Sequence, residues 1–215
     1  MLLALDTSTP AVTVALHDGT GVVAEHTVID ARRHTELVAP SIAGVLGDAG
    51  ADRRDLDAIV VGVGPGPFTG LRIGLVTART LGAALGIPVS GVCSLDVIAA
   101  EAAVDGSLVV VTDARRKEVY VASYTGGRRT AGPDVVAPGA AATDLPAAGA
   151  GAVLYSDAFP NAIPPEYPSA GVLAEMVATG VADLVAPDPL YLRRPDATPP
   201  GQRKSALAAG GPRRR

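Results

Sequence analysis

The chain has 215 residues, a formal net charge of −4 and a single cysteine, Cys93. That length allows one large domain or two small ones, and one cysteine excludes an internal disulfide and fits a reducing compartment. No apolar run reaches the roughly 18 residues of a membrane span, and Met1-Leu2-Leu3-Ala4-Leu5-Asp6 lacks the basic start of a signal peptide, so a cytoplasmic location is expected.

Charge is distributed unevenly. From Arg193 onward seven Lys/Arg stand against one acid, which leaves the first 192 residues at −10. The body therefore offers no basic face for nucleic acid, and no strong direct nucleic-acid binding is expected. The tail, 195–215, is rich in Pro, Gly and Arg and reads as disordered.

Three strands come first, at 2–6, 11–16 and 22–28, linked closely enough to form an antiparallel meander. A helix follows at 37–49, with Val38, Ile42, Val45, Leu46 and Ala49 at helical spacing and Pro40 in its first turn or at a kink. Next come a strand at 58–63, a glycine-rich loop, a helix at 72–86 and a strand at 88–92. Ser94 reads as the N-cap of a helix at 95–103. The second half opens with a strand pair at 108–113 and 118–124 around Arg115-Arg116-Lys117. The stretch 125–151 is weakly specified, 153–155 reads as a short strand and 169–179 as a helix, and 189–193 closes the ordered part. This order, with a smaller repetition of its own theme, predicts an α/β protein of ribonuclease-H-like, actin-like type, with mixed sheets flanked by helices in two lobes. The expected division is 1–104 for a partner-binding lobe, 105–194 for a smaller lobe and 195–215 for the tail.

The loop Gly62-Val63-Gly64-Pro65-Gly66-Pro67-Phe68-Thr69-Gly70 sits where phosphate cradles sit, between a strand and a helix start. Pro65 and Pro67 lack the N–H groups that a cradle would use, and no Gly-Lys-Ser/Thr ending follows. The helix after the loop is apolar on more than one side. Leu71, Gly74, Leu75, Ala78, Leu81, Gly82 and Leu85 share one broad face, and Ile73, Thr77, Thr80 and Ala84 form a second flank. Either the first face packs on the chain's own sheet, or the small residues Gly74, Ala78 and Gly82 admit another chain.

Other chemistry is thin. Asp6-Thr7-Ser8-Thr9 ends the first strand, as the phosphate-facing turn of an actin-like ATPase does, and equally as a plain turn that satisfies its own backbone. His17, His26 and His34 show no metal-ligand spacing, and no Gly-x-Ser-x-Gly elbow supports a hydrolase. Asp113, Arg115 and Glu118 cluster at a hairpin tip.

Taken in order, Leu3-Ala4-Leu5-Asp6-Thr7-Ser8-Thr9, His34-Thr35-Glu36-Leu37, the run from Gly62 to Gly74, Asp113-Ala114-Arg115 with Glu118-Val119-Tyr120, and Tyr191-Leu192-Arg193 resemble the TsaB family. Its members are dimerisation subunits of the machinery that places threonylcarbamoyl on the adenosine beside the tRNA anticodon. The resemblance implies an actin-like fold, a catalytic partner TsaD, a further partner TsaE, and homodimers when alone. It implies a non-catalytic chain without a cofactor of its own, a nucleotide having a place only at the junction with partner subunits. Its motif positions are Gly64, Gly66, Phe68, Thr69, Gly70, Arg72, Asp113, Arg115 and Glu118, and Asp6, Thr7 and Ser8 would be a vestigial nucleotide-facing turn. The partner interface would use Val38, Ile42, Val45, Leu71, Gly74, Leu75, Ala78, Gly82 and Leu85. The two metal-binding histidines of the catalytic paralogues correspond to Ser94 and Ile98, which make no metal site. The alternatives are an actin-like ATP-dependent phosphotransferase using Asp6 and Thr7, and an inactive glycoprotease homologue.

Overall fold

In the computed structural model, which describes residues 1–193, Leu2–Asp6 (β1), Ala11–His17 (β2) and Val22–Ile29 (β3) form the expected meander. β1 pairs β2 antiparallel, with Leu3 opposite Leu16 and Leu5 opposite Val14. After helix α1 (His34–Asp48), Ala58–Gly62 (β4) enters parallel to β1, and after α2 (Phe68–Leu85), Val89–Val92 (β5) enters parallel to β4. The first sheet therefore runs β3-β2-β1-β4-β5.

Pleat alternation assigns the two faces of this sheet. Leu3, Leu5, Val12, Val14, Leu16, Ile59 and Val61 point to one side, against Val38 and Val45 of α1 and Leu71, Leu75 and Ala78 of α2. The small Ala4 and Ala15, with Val60 and Val92, point to the other, against Ala170, Leu173 and Ala174. Those last residues belong to α5 (Ala170–Ala178), whose N-cap Ser169 accepts a hydrogen bond from Val172 N–H.

The second sheet repeats the plan. Ser107–Asp113 (β6), Val119–Thr125 (β7) and Arg128–Val136 (β8) form an antiparallel meander, and Ala147–Ala148 (β9) and Ala162–Ile163 (β10) add in parallel, giving β10-β9-β6-β7-β8. Leu108, Val110, Tyr120 and Ala122 pack on Leu95, Ile98 and Ala99 of α3 (Ser94–Ala102). Val109, Val111 and Val119 pack on Ala152 of α4 (Ala150–Leu154) and on Phe159.

Several expectations change. α1 starts at His34, so Pro40 falls in its second turn. Residues 153–155, expected as a strand, lie in and just after α4, and the weakly specified stretch holds β8. The last helix of the expected 105–194 lobe lies elsewhere: α5 covers the first sheet, and Val185 bridges to Gly91 on β5. Its small, close-packing face fits Ala4 and Ala15, whereas the second sheet already has its covers. The expected tail, 195–215, lies outside the described residues.

Candidate functional site: the β1 turn, the interlobe cleft and the paired helices

The turn after β1 and the glycine-rich loop are pressed into each other. A Cβ placed on Gly66 would lie 2.1 Å from the Ser8 carbonyl oxygen, one on Gly70 2.6 Å from that of Thr7, and one on Gly74 2.4 Å from Thr7 Oγ1. Thr7 Oγ1 donates to the Gly70 carbonyl (2.8 Å) and accepts from Gly74 N–H (3.0 Å). The glycines therefore serve the close approach of the β1 turn to the loop and α2. Gly64, at φ +91°, needs the left-handed region at the bend itself.

Asp6 lies beneath this turn and is fully buried. Its carboxylate accepts from Ser94 Oγ–H (2.5 Å) and from Ser8 N–H (2.7 Å). Burial pushes the carboxyl above the usual aspartate range, against the pull of the hydrogen bonds from Ser94 and Ser8. Ser94 is thus no N-cap. It is the first residue of α3, and its hydroxyl also accepts from Gly64 N–H (3.1 Å). The expected nucleotide-facing triad is corrected at one position: Asp6 is sealed in the core, while Thr7, whose hydroxyl is bonded to α2, borders the second cavity and Ser8 borders both. The phosphotransferase alternative loses Asp6, the acid on which it was built.

The cleft between the lobes holds a cavity of about 290 Å³, bordered by Ser8, Pro67, Thr112, Arg115 and Tyr167. A second of about 230 Å³ continues it past His34, Thr69 and Gly70. Arg115 borders both. It opens a hairpin tip in which Arg115, Arg116 and Lys117 all have left-handed φ, at +63°, +56° and +60°, a costly run for residues with side chains. Asp113 braces the tip by accepting from Arg115 N–H (2.8 Å), and Glu118 N–H donates to the Arg115 carbonyl (3.0 Å). The Glu118 carboxylate pairs with Arg193. Phe68 and Arg72 meet Tyr191: the rings stand 4.5 Å apart, and Arg72 Nε donates to Tyr191 Oη (2.6 Å).

The helix pair requires the largest correction. Val38, Val45, Leu71, Gly74, Leu75, Ala78 and Gly82, expected at a partner interface, are buried in the chain's own core. The reason is steric. The small residues of α2 admit Thr7 at Gly74 and Val89 at Gly82, where a Cβ would lie 2.3 Å from Val89 Cγ2. Ile42 and Leu85 remain half-buried. What the helices leave open is the opposite side: Ala39, Pro40 and Ala43 of α1, and Val76, Thr80, Ala83 and Ala84 of α2. Val76 is 62% exposed. Between Leu37 and Gly47 α1 carries no charge, and between Ile73 and Leu85 α2 carries only Arg79, which pairs with Asp188. That uncharged stretch was the available sequence signal for this face.

Among the described residues no group of three His, Cys, Asp or Glu could hold a metal ion. Ser94 and Ile98 are fully buried. His17 is held by Glu175, His26 by Asp48, and His34 by the Thr9 carbonyl. Burial pushes the Cys93 thiol up to about 12, which leaves it without a nucleophilic thiolate at neutral pH. No helix among the described residues is long and apolar enough to cross a membrane.

Comparison with known proteins agrees with this anatomy. The family model described as TsaD, tRNA N6-adenosine threonylcarbamoyltransferase, matches residues 12–181. An uncharacterized Mycobacterium tuberculosis protein is 49% identical over 207 residues, spanning 92% of this chain and 94% of that one. The tRNA threonylcarbamoyladenosine biosynthesis protein TsaB of Bacillus subtilis is 39% identical over 124 residues, 57% of this chain and 54% of its own length. The solved structure of YeaZ from Pseudomonas aeruginosa superposes with a TM-score of 0.75 at 31% identity, covering 89% of this chain and 99% of that one. With two repeated mixed sheets and these relatives, the chain belongs to the threonylcarbamoyltransferase family as a TsaB-like member with an actin-like two-lobed fold.

Proposed function

We propose that this chain is a non-catalytic dimerisation subunit in the synthesis of N6-threonylcarbamoyladenosine in tRNA, and that it docks the catalytic subunit TsaD through the outer face of α1 and α2. The observation that carries this reading is the charge-poor outer face of the two adjacent helices, open around Ala39, Ala43, Val76, Thr80 and Ala84, where α1 carries no charge and α2 only Arg79, itself paired with Asp188. A surface helix normally turns many charges outward, and a pair that turns so few is suited to being covered. Support for the pathway comes from the TsaB relatives, whose name states it. Support for a non-catalytic role comes from the burial of Asp6, Ser94 and Ile98, which leaves no cluster for chemistry at the β1 turn.

In this reading TsaE joins the assembly through the TsaB–TsaD pair, and without TsaD the same face pairs with a second copy. A stable docking of this kind buries about 1,600 Å² in total. Val76→Asp combined with Ala43→Glu should weaken TsaD binding, measured by calorimetry, by about a hundredfold or more, because it places two added charges in the covered face. Thermal unfolding should stay near the parent's, since both positions are exposed. Binding at parental affinity would overturn the reading. Ala78→Trp is unsuited to this test: Ala78 faces the chain's own sheet, and the variant would damage the fold instead.

A further inference from the structure

We propose that residues 185–193 form a strap that fixes the two lobes at one setting, so that the cleft keeps a constant width and the chain presents its surfaces as a single rigid body. The strap is attached to the first lobe at four successive points. Val185 and Gly91 exchange two backbone hydrogen bonds, at 2.8 and 2.9 Å, on the free edge of β5. Asp188 pairs with Arg79 on α2 (3.1 Å). Leu190 N–H donates to the Val63 carbonyl (2.9 Å), which extends the line of β4. Tyr191 then packs on Phe68 and accepts from Arg72, whose guanidinium carbon sits 5.3 Å from the Phe68 ring centre and 5.5 Å from that of Tyr191.

Two residues later the same segment holds the second lobe. Arg193 Nη1 donates to the Ala114 carbonyl (3.0 Å), and its guanidinium pairs with Glu118, so both ends of the β6–β7 hairpin tip are gripped by one side chain. Between these anchors Leu190 packs against the cores of both lobes. The two lobes are also joined by the connection from α3 to β6, by the one from β10 to α5, and by α3 itself, whose Val97 packs with Ala4 and Val92 of the first sheet while Leu95 and Ile98 pack on the second. Joints of this kind permit a hinge, and a further bond across the cleft opposes it. The gripped tip carries Arg115, a wall of both cleft cavities, and faces Pro67, so the strap sets the spacing of the cleft walls. Arg72 and Arg79 border the outer face of α2, but the strap's grip on the second lobe runs through Arg193 and Glu118, away from that face, and the inference stands whether or not the face docks a partner.

The test uses the full chain with spin labels at Arg54→Cys in the first lobe and Ser156→Cys in the second, both exposed positions. Buried Cys93 does not compete for label. The parent should give one narrow distance distribution by double electron–electron resonance. Tyr191→Ala with Arg193→Ala should broaden it at least about twofold, while hydrogen exchange of the β1 and β4 amides stays unchanged, the pattern of a freed hinge in an intact fold. Arg193→Gln, which leaves every first-lobe anchor in place, should broaden it less and serves as the readout if the double variant does not fold. A distribution that superposes on the parent's in the variants that fold would overturn the strap.

Discussion

The two sheets are built to one plan and dressed differently. Each places three antiparallel strands beside two parallel ones in the same order, so β1 to β5 correspond to β6 to β10. In the first sheet the parallel strands have five and four residues; in the second they have two each. The slot before the fourth strand holds the 15-residue α1 in one lobe and a single 3-10 turn, Pro138–Ala140, in the other. The slot after it holds the 18-residue α2 in one and the five-residue α4 in the other. Strand pairing alone needs neither long helix, since the second lobe keeps its order without them. The helix pair is therefore the first lobe's own addition, and its charge-poor outer face is where that lobe has something to offer that the other lacks.

The sharpest way to break this comparison is to truncate matching slots. Leu71→Ala on α2 opens a cavity in the first core and should cost about 2–5 kcal/mol in denaturant unfolding, whereas Val153→Ala on α4, half exposed, should stay within about 0.5 kcal/mol. Equal losses would mean that the two lobes depend alike on these helices. Gly74→Ala probes the contact between α2 and the β1 turn, which has no counterpart on α4. Its methyl would meet Thr7 Oγ1, and an effect of about 1–3 kcal/mol is expected in the same assay. A stabilised variant would show that the turn yields easily and that the close approach is not selected.

The mildest effect is one of pH. Burial raises the Asp6 carboxyl above its free value of 3.8, and also raises Asp96 and Glu101. The folded chain then holds protons that the unfolded chain releases, so stability is full below about pH 4 for these groups and falls as pH climbs through their raised values. Asp18 is shifted the opposite way by Thr20 and Gly21, but it is exposed, and its share is the same in parent and variant. The melting temperature of Asp6→Asn should fall less steeply between pH 4 and neutrality than the parent's; parallel slopes would assign the proton elsewhere.

Much of the framework was readable from residues. The β1–β3 meander, the β4–α2–β5 crossover and the β6–β7 hairpin follow from alternation and from turn residues such as Asp18-Gly19. The orientation of α2 was not. Periodicity shows two apolar sides but not which one turns inward. The answer lay in a contact between Thr7 and Gly74, distant in sequence, that no local pattern encodes. The same holds for Ser94, whose hydroxyl suits a cap and instead serves Asp6. Residues 153–155 were misassigned because a short apolar run fits strand or helix equally until its neighbours are known. That α5 would leave its own half of the chain, and that Arg72 and Tyr191 would meet, are matters of long-range packing.

The return of α5 to the first sheet also bears on how the protein is made. Ala4, Ala15 and Val60 leave the ribosome early, yet the helix that shields them spans 170–178. During synthesis one side of the earliest sheet stays bare while nearly all the described chain is added. The nascent first lobe is thus a natural client for chaperones, and stalled fragments that stop short of residue 170 should be prone to clump.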